Sequence, residues 1–214
     1  MNIKRTKKND EALWQQFAKH EKLSSHQLDQ FKQYYALLIA ANEEFNLTTI
    51  TDLRPVINYH FIDSLMVRKV YDFAKCRGVG DIGTGAGFPG IPLKIIYPEL
   101  PLLLIEVTKK KIAFLESVID ELGFDFIDIY SLDWRTFLRK TDYQLDLFCA
   151  RASLSTNELF RVFKPASPYK EAELIYWASA AWEPTEAARP FLTKEYLYTV
   201  GAKKRKLVTF NRAG

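Results

Sequence analysis

The chain has 214 residues, of which 48% are hydrophobic and 26% charged, enough for one α/β domain with a buried core and a small appendage. Its net charge of +4 is mildly basic, which allows nucleic-acid binding without requiring it. With only 2 cysteines, a disulfide framework is not indicated, and 3 histidines that do not cluster argue against a metal site. No long apolar run is present, which argues against a membrane span, so we expect a cytoplasmic protein.

Residues 1–74 have helical spacing of apolar side chains and no strand signal. Apolar residues between Leu13 and Phe17 indicate a first helix, and Ser24 or Ser25 can cap a second. The helical pattern breaks at residues 46–48 and resumes over 52–71. We therefore predict an N-terminal helical extension. Four basic residues at its start are interpreted as either a solvated terminus or contacts to RNA phosphates: Lys4, Arg5, Lys7 and Lys8.

Predicted strands and helices alternate over residues 75–214. Strands are expected at 78–82, 101–107, 126–130, 142–150 and 173–177, and helices at 90–97, 109–123, 134–139 and 155–163. Residues 196–200 and 206–210 can form a terminal hairpin. This alternation predicts a doubly wound, mostly parallel sheet of the α/β class. Its ligand crevice should lie at the carboxyl ends of the first and fourth strands, where the strand order reverses.

A glycine-rich stretch at residues 79–90 has the sequence VGDIGTGAGFPG. Its second half fits the dinucleotide pattern G-x-G-x-x-G, but that frame omits Gly83 and puts a proline in the turn. Residues 81–87 have the pattern D-x-G-x-G-x-G, which resembles the first motif of class I S-adenosylmethionine-dependent methyltransferases, a Rossmann-like fold. Asp81 suits the cationic groups of that cofactor. The turn backbone can pack against its methionine and ribose: Gly83, Thr84, Gly85 and Gly87.

Polar residues follow the next three predicted strands. Glu106 can accept both ribose hydroxyls of an adenine nucleoside. Asp133 can accept from the adenine amino group while Trp134 flanks the ring, or it can simply cap the next helix. Arg151 can engage an RNA phosphate, a guanine edge or the cofactor carboxylate, or form a surface ion pair.

Five segments together resemble the bacterial ribosomal RNA small subunit methyltransferase G family, also called glucose-inhibited division protein B. In chain order they are FNLT (45–48), HFIDSL (60–65), DIGTGAGFPGIPL (81–93), KKIAFL (110–115) and ARA (150–152). The resemblance implies methylation of guanosine N7 in small-subunit ribosomal RNA, free or in an assembling subunit, with S-adenosylmethionine as donor. Carried over by motif, the cofactor contacts fall on Gly83, Phe88, Trp134, Arg135 and Arg151.

The chain also departs from the family pattern. LDWR at 132–135 stands where the family tends to have Arg-x-Glu-Glu, and WAS at 177–179 replaces a usual Lys-Gly pair.

Guanine N7 carries a lone pair and no proton, so we expect no general base and assign no catalytic residue. His60, Asp63 and Arg151 are candidates for the substrate side. As an alternative, His60 and Asp63 form a pair that joins the two parts of the chain.

Basic residues give weaker support for RNA binding. They are Lys4–Lys8, Lys109–Lys111, Arg135, Arg139, Arg151 and Lys203–Lys206.

Three other functions stay open: a methyltransferase acting on a small molecule or protein, a non-catalytic RNA-binding relative, and a nicotinamide-dependent oxidoreductase. The last lacks a Tyr-x-x-x-Lys proton donor. We expect a monomer.

Overall fold

A seven-stranded sheet organises the chain in the computed structural model, which describes residues 3–212 and the side chains from residue 9 onward. The basic residues Lys4 to Lys8 thus carry no described side chain. The strands are β1 (Val79–Ile82), β2 (Leu102–Ile105), β3 (Ile127–Tyr130), β4 (Leu147–Arg151), β5 (Glu173–Ser179), β6 (Leu192–Val200) and β7 (Lys203–Phe210). Their spatial order is β3-β2-β1-β4-β5-β7-β6.

The strand order reverses between β1 and β4, as the sequence predicts. Strands β1 to β5 pair in parallel, while β7 runs antiparallel to both β5 and β6. The predicted terminal hairpin is therefore confirmed: its second strand pairs with β5, and its first strand forms the edge of the sheet. In a doubly wound sheet this reversal opens a crevice at the carboxyl ends of β1 and β4.

Helices cover both faces of the sheet. In chain order they are α1 (Ile3–Glu21), α2 (Ser25–Phe45), α3 (Leu53–Val56), α4 (Asp63–Leu65), α5 (Gly90–Ile96), α6 (Lys109–Leu122), α7 (Trp134–Lys140) and α8 (Thr156–Leu159). A π-helical segment, Ile57–Ile62, joins α3 to α4, and 3₁₀ turns at Met66–Lys69 and Phe160–Phe163 extend α4 and α8. Short π-helical segments occur often at functional sites.

Local sequence explains where α2 begins. The Ser24 hydroxyl accepts from the Gln27 backbone N–H (3.2 Å), and the Gln27 side chain accepts from the Ser24 N–H (3.0 Å), a capping box. Ser24, not Ser25, is the N-cap. The apolar stripe of α2 is buried at Leu28, Phe31, Tyr34 and Leu38.

Two apolar clusters occupy the two faces of the sheet. One combines side chains of α1 and α2 with α5, α6 and the irregular helix at 53–69. The other combines α7 and α8 with the opposite strand faces. The predicted extension over residues 1–74 thus shares a core with the sheet. Its division from residues 75–214 stays a prediction about chain organisation.

Element boundaries differ from the predictions at several places. The fourth strand begins at Leu147 instead of 142, because residues 142–146 form a loop in which Asp146 accepts hydrogen bonds from Arg77. Strand β5 continues to Ser179, β6 begins at Leu192, and the helix expected at 155–163 is α-helical only to Leu159. Over residues 3–212, no helix is both long and apolar enough to cross a membrane.

Candidate active site

The glycine turn connects β1 to α5 with a backbone that side chains would obstruct. Gly83, Gly85 and Gly87 have φ of 63°, 65° and 98°, in the left-handed region that favours glycine. A Cβ at Gly83 would lie 2.5 Å from the Cβ of Ser153, which follows β4. A Cβ at Gly85 would meet only the Gly83 carbonyl oxygen, at 3.9 Å. The turn is therefore packed tightly against β4 at one glycine and open at the next.

Asp81 is fully buried beneath this turn. Its Oδ2 accepts from the Thr84 hydroxyl (2.6 Å) and from the Gly90 backbone N–H (2.8 Å). These bonds tie the end of β1 to the first residue of α5. Burial raises the pKa of Asp81 to about 6 despite both hydrogen bonds. The Thr84 hydroxyl donates to Asp81, so the predicted cofactor contact of Thr84 rests on its backbone.

Two buried polar atoms beside the turn have no hydrogen-bond partner. Among the described side chains these are Asp81 Oδ1 and Ser153 Oγ. Unsatisfied buried acceptors and donors are costly, and one explanation of such an atom is that a ligand satisfies it. Both atoms flank the carboxyl ends of β1 and β4, where the crevice was expected. They can therefore hold a polar or cationic ligand.

Glu106, at the end of β2, is also almost buried. Its Oε2 accepts from the Gly85 N–H (3.1 Å), and its Oε1 accepts from the Val107 and Thr108 N–H groups at 3.0 and 2.9 Å. Burial acts to raise its pKa, but the hydrogen bonds from Thr108 and the nearby Lys111 outweigh it and lower the pKa overall. Glu106 is thus a stable carboxylate beside the turn, and its ribose contact stays a prediction.

Arg151 and Asp63 form a buried ion pair across the crevice. Arg151 Nη1 donates to Asp63 Oδ2 (3.1 Å) and to the Tyr59 carbonyl (2.9 Å). Asp63 Oδ2 also forms an ion pair with Arg205 Nη1 (3.0 Å), and Asp63 Oδ1 accepts from the Tyr198 hydroxyl (2.6 Å). The carboxylate therefore joins the irregular helix to β4, β6 and β7. Asp63 has no exposed surface, and its place on the substrate side stays a prediction.

His60 is held in one orientation. Arg151 Nη2 can only donate, so His60 Nδ1 accepts (3.2 Å), and the proton on Nε2 is donated to the Thr48 hydroxyl (2.9 Å). The ring stacks on Phe88, with centroids 4.4 Å apart. Burial and the Arg151 charge lower the pKa of His60 to about 3. His60 is therefore neutral, and like Asp63 it contacts Arg151 of β4.

The predicted site residues Asp133, Trp134 and Arg135 do not line the cavity over the glycine turn. Asp133 caps α7 by accepting from the Arg135 and Thr136 N–H groups, both at 3.0 Å, which confirms the capping alternative. The Trp134 ring is 4% exposed and packs in the core, with its indole N–H donating to the Glu158 carbonyl (2.9 Å). Arg135 forms a bidentate pair with Glu158. The structure therefore does not bring Trp134 or Arg135 to the glycine turn, because core packing and ion pairing hold them elsewhere.

A cavity of about 300 Å³ lies over the turn. Its walls include the predicted residues Gly83, Thr84, Gly85, Phe88, His60 and Arg151. The walls also include Lys203 and Arg205, which were predicted only among the basic residues that support RNA binding, and Thr48, which lies in the FNLT segment. Tyr59 also lines the cavity and was not predicted. Over the described residues, no cluster of His, Cys, Asp and Glu could hold a metal ion.

Comparison with known proteins agrees with this geometry. The model of the family described as rRNA small subunit methyltransferase G matches residues 27–207. This chain belongs to that family. The ribosomal RNA small subunit methyltransferase G of Halalkalibacterium halodurans is 40% identical over 80% of this chain and 73% of its own length. That of Lachnoclostridium phytofermentans is 38% identical over 88% and 77%.

Solved structures agree at the level of fold. The human methyltransferase 10 domain containing protein superposes with a TM-score of 0.59 at 16% identity, covering 86% of this chain and 97% of its own. Identity this low shows a shared fold alone. It confirms the predicted class I methyltransferase architecture for this member of the methyltransferase G family, with its crevice at the β1–β4 reversal.

Proposed function

We propose that this chain methylates N7 of a guanosine in small-subunit ribosomal RNA and takes the methyl group from S-adenosylmethionine. Membership in the methyltransferase G family supports the reaction class. The observation that carries the cofactor assignment is the pair of unsatisfied buried atoms, Asp81 Oδ1 and Ser153 Oγ, beside an open glycine turn. A cationic amino acid portion would supply the missing partners.

Each residue of the crevice then has a physical role. Asp81 and Ser153 would hold the polar end of the cofactor, and Glu106 would accept from its ribose. The bound cofactor supplies an electrophilic methyl group on a positively charged sulfur. Phe88, whose ring stacks on His60 and lies 5.1 Å from the Arg151 guanidinium, forms an apolar wall beside the turn.

The reaction needs orientation more than proton transfer. Guanine N7 would form the carbon–nitrogen bond with its own lone pair as the carbon–sulfur bond of the donor breaks and its electron pair stays on sulfur, so no proton has to leave first. His60, with a pKa of about 3 and both nitrogens engaged, is unsuited to act as a base. Catalysis would rest on proximity and alignment within the crevice. We also propose that the protein acts in the cytoplasm as a monomer.

Methyl transfer to ribosomal subunits tests the proposal. Purified protein is incubated with methyl-labelled S-adenosylmethionine and small subunits from a strain that lacks this protein, and the RNA is digested to nucleosides. We expect label in 7-methylguanosine with the wild type and none with Asp81→Ala. Asp142→Ala, an exposed acid outside the crevice, serves as the matched control and should keep full activity. Label in protein or in small molecules alone would refute the proposal.

A further inference from the structure

The turn of the β6–β7 hairpin is seated on Tyr59. A Cβ at Gly201, whose φ is 55°, would lie 2.9 Å from the Tyr59 ring, so the backbone packs directly on that ring. The Ala202 N–H donates to the Tyr59 hydroxyl (3.3 Å). At the other end of the same residue, the Tyr59 carbonyl accepts from Arg151. Tyr59 therefore fixes the hairpin at the rim of the crevice.

Lys203 projects over this tyrosine. Its Nζ lies 4.5 Å from the Tyr59 ring centroid, and the residue is exposed and forms part of the crevice wall. A cation–π contact orients an ammonium group without neutralising it. The hairpin thus presents a positive charge at a defined place beside the glycine turn.

The other three cations of the crevice wall each have a carboxylate nearby. Arg151 and Arg205 pair with Asp63 at 3.1 and 3.0 Å, and Lys111 lies 3.7 Å from Glu106. Lys203 has no ion pair with any carboxylate of the described residues. An exposed lysine held on an aromatic ring without a counter-charge suits a compact external anion, and an RNA phosphate is such a group.

We propose that Lys203 binds a backbone phosphate of the RNA substrate and positions the target nucleotide at the crevice mouth. The inference rests on the proposed function, since it takes RNA as the substrate. It makes Lys203 a positioning residue that acts through the phosphate and leaves methyl transfer unchanged. Tyr59 holds its ammonium group in place.

The chain offers a matched control at the next residue. Side chains of a strand alternate between its faces, so Lys204, also exposed, points away from Lys203 and is absent from the crevice wall. Lys203→Gln and Lys204→Gln remove the same charge from the same strand. Lys203→Arg keeps the charge. Each variant is assayed as full-length protein for methylation of small subunits, for binding of a small-subunit RNA transcript, and for S-adenosylmethionine affinity.

One lost phosphate contact should lower RNA affinity about five- to tenfold near 0.1 M salt and reduce the slope of log affinity against log salt by about 0.7–0.9. We expect these changes in RNA binding only in Lys203→Gln. In the methylation assay the same variant should show a raised KM for subunits and an unchanged kcat. Lys203→Arg should restore most of the affinity, and cofactor affinity should not change. Equal effects of Lys203→Gln and Lys204→Gln would overturn the inference. If the wild-type protein binds RNA but methylates no subunits, the proposed function is wrong. The comparison of RNA affinity between Lys203→Gln and Lys204→Gln then still tests the role of Lys203.

Discussion

Replacing Asp63 with asparagine should destabilise the fold strongly, because one carboxylate balances two arginines. Asp63→Asn removes the charge that pairs with Arg151 and Arg205, while the Tyr198 hydrogen bond can persist on the amide oxygen. Breaking a buried ion pair costs about 3–5 kcal/mol. The two arginine side chains remain 11% and 21% exposed, so water can solvate part of the released charge. We therefore expect the lower end, about 3 kcal/mol.

Urea denaturation followed by circular dichroism measures this loss. With a slope of about 1–3 kcal/mol per molar urea, the midpoint should fall by about 1–3 M. The control is Asp142→Asn, an exposed carboxylate without an ion pair in the described chain, which should change stability by less than about 0.5 kcal/mol. Equal midpoints for Asp63→Asn and Asp142→Asn would refute the view that Asp63 joins the helical part to the sheet.

Three further outcomes follow from the site. Gly83→Ala should abolish S-adenosylmethionine binding in calorimetry and should lower stability more than Gly123→Ala does. Gly123 has a similar φ (61°), but a Cβ added there would have no atom within 4 Å, so Gly123→Ala should cost only about 1 kcal/mol. Equal losses of stability in the two variants would contradict the packing of Gly83 against Ser153. The pKa of Asp81 in the folded protein, about 6, is above its ordinary value of 3.8. Its contribution to the free energy of unfolding is therefore complete below about pH 4 and is lost as the pH rises through 6. The free energies of unfolding of the wild type and of Asp81→Asn, measured by urea titration, should diverge between those pH values. The His60 imidazole, with a pKa of about 3, should show no NMR titration between about pH 5 and 8, and a midpoint in that range would contradict its Arg151 contact.

The sequence predicted those parts of the fold that depend on local patterns. Helix α6 ends as expected at Gly123, whose left-handed φ of 61° is the usual cap geometry. The glycine turn and the alternation of strands and helices placed the crevice correctly at the reversal between β1 and β4. Such features involve residues close in the chain, so spacing and residue type suffice to indicate them.

Features that depend on distant contacts were missed or misjudged. Trp134 follows a strand end in the sequence, which suggested a cofactor contact, yet it packs against Phe137 and Phe148 in the core. Asp133 and Arg135 are polar residues whose partners, a helix N-terminus and Glu158, decide their orientation. Residue type alone does not reveal which partner a side chain finds after folding.

The two sides of the crevice differ in how far apart in the chain their residues lie. The side proposed for the methyl donor comes mostly from one continuous turn, residues 81–90, with Glu106 and Ser153 beside it. The opposite side combines Tyr59 from the irregular helix, Arg151 from β4 and Lys203 from the terminal hairpin. A single motif can therefore indicate the cofactor. The proposed contacts to RNA depend on whether the helix that carries Tyr59 and the C-terminal hairpin dock together. We therefore expect changes that loosen Tyr59 or Asp63 to impair RNA binding before they affect the glycine turn.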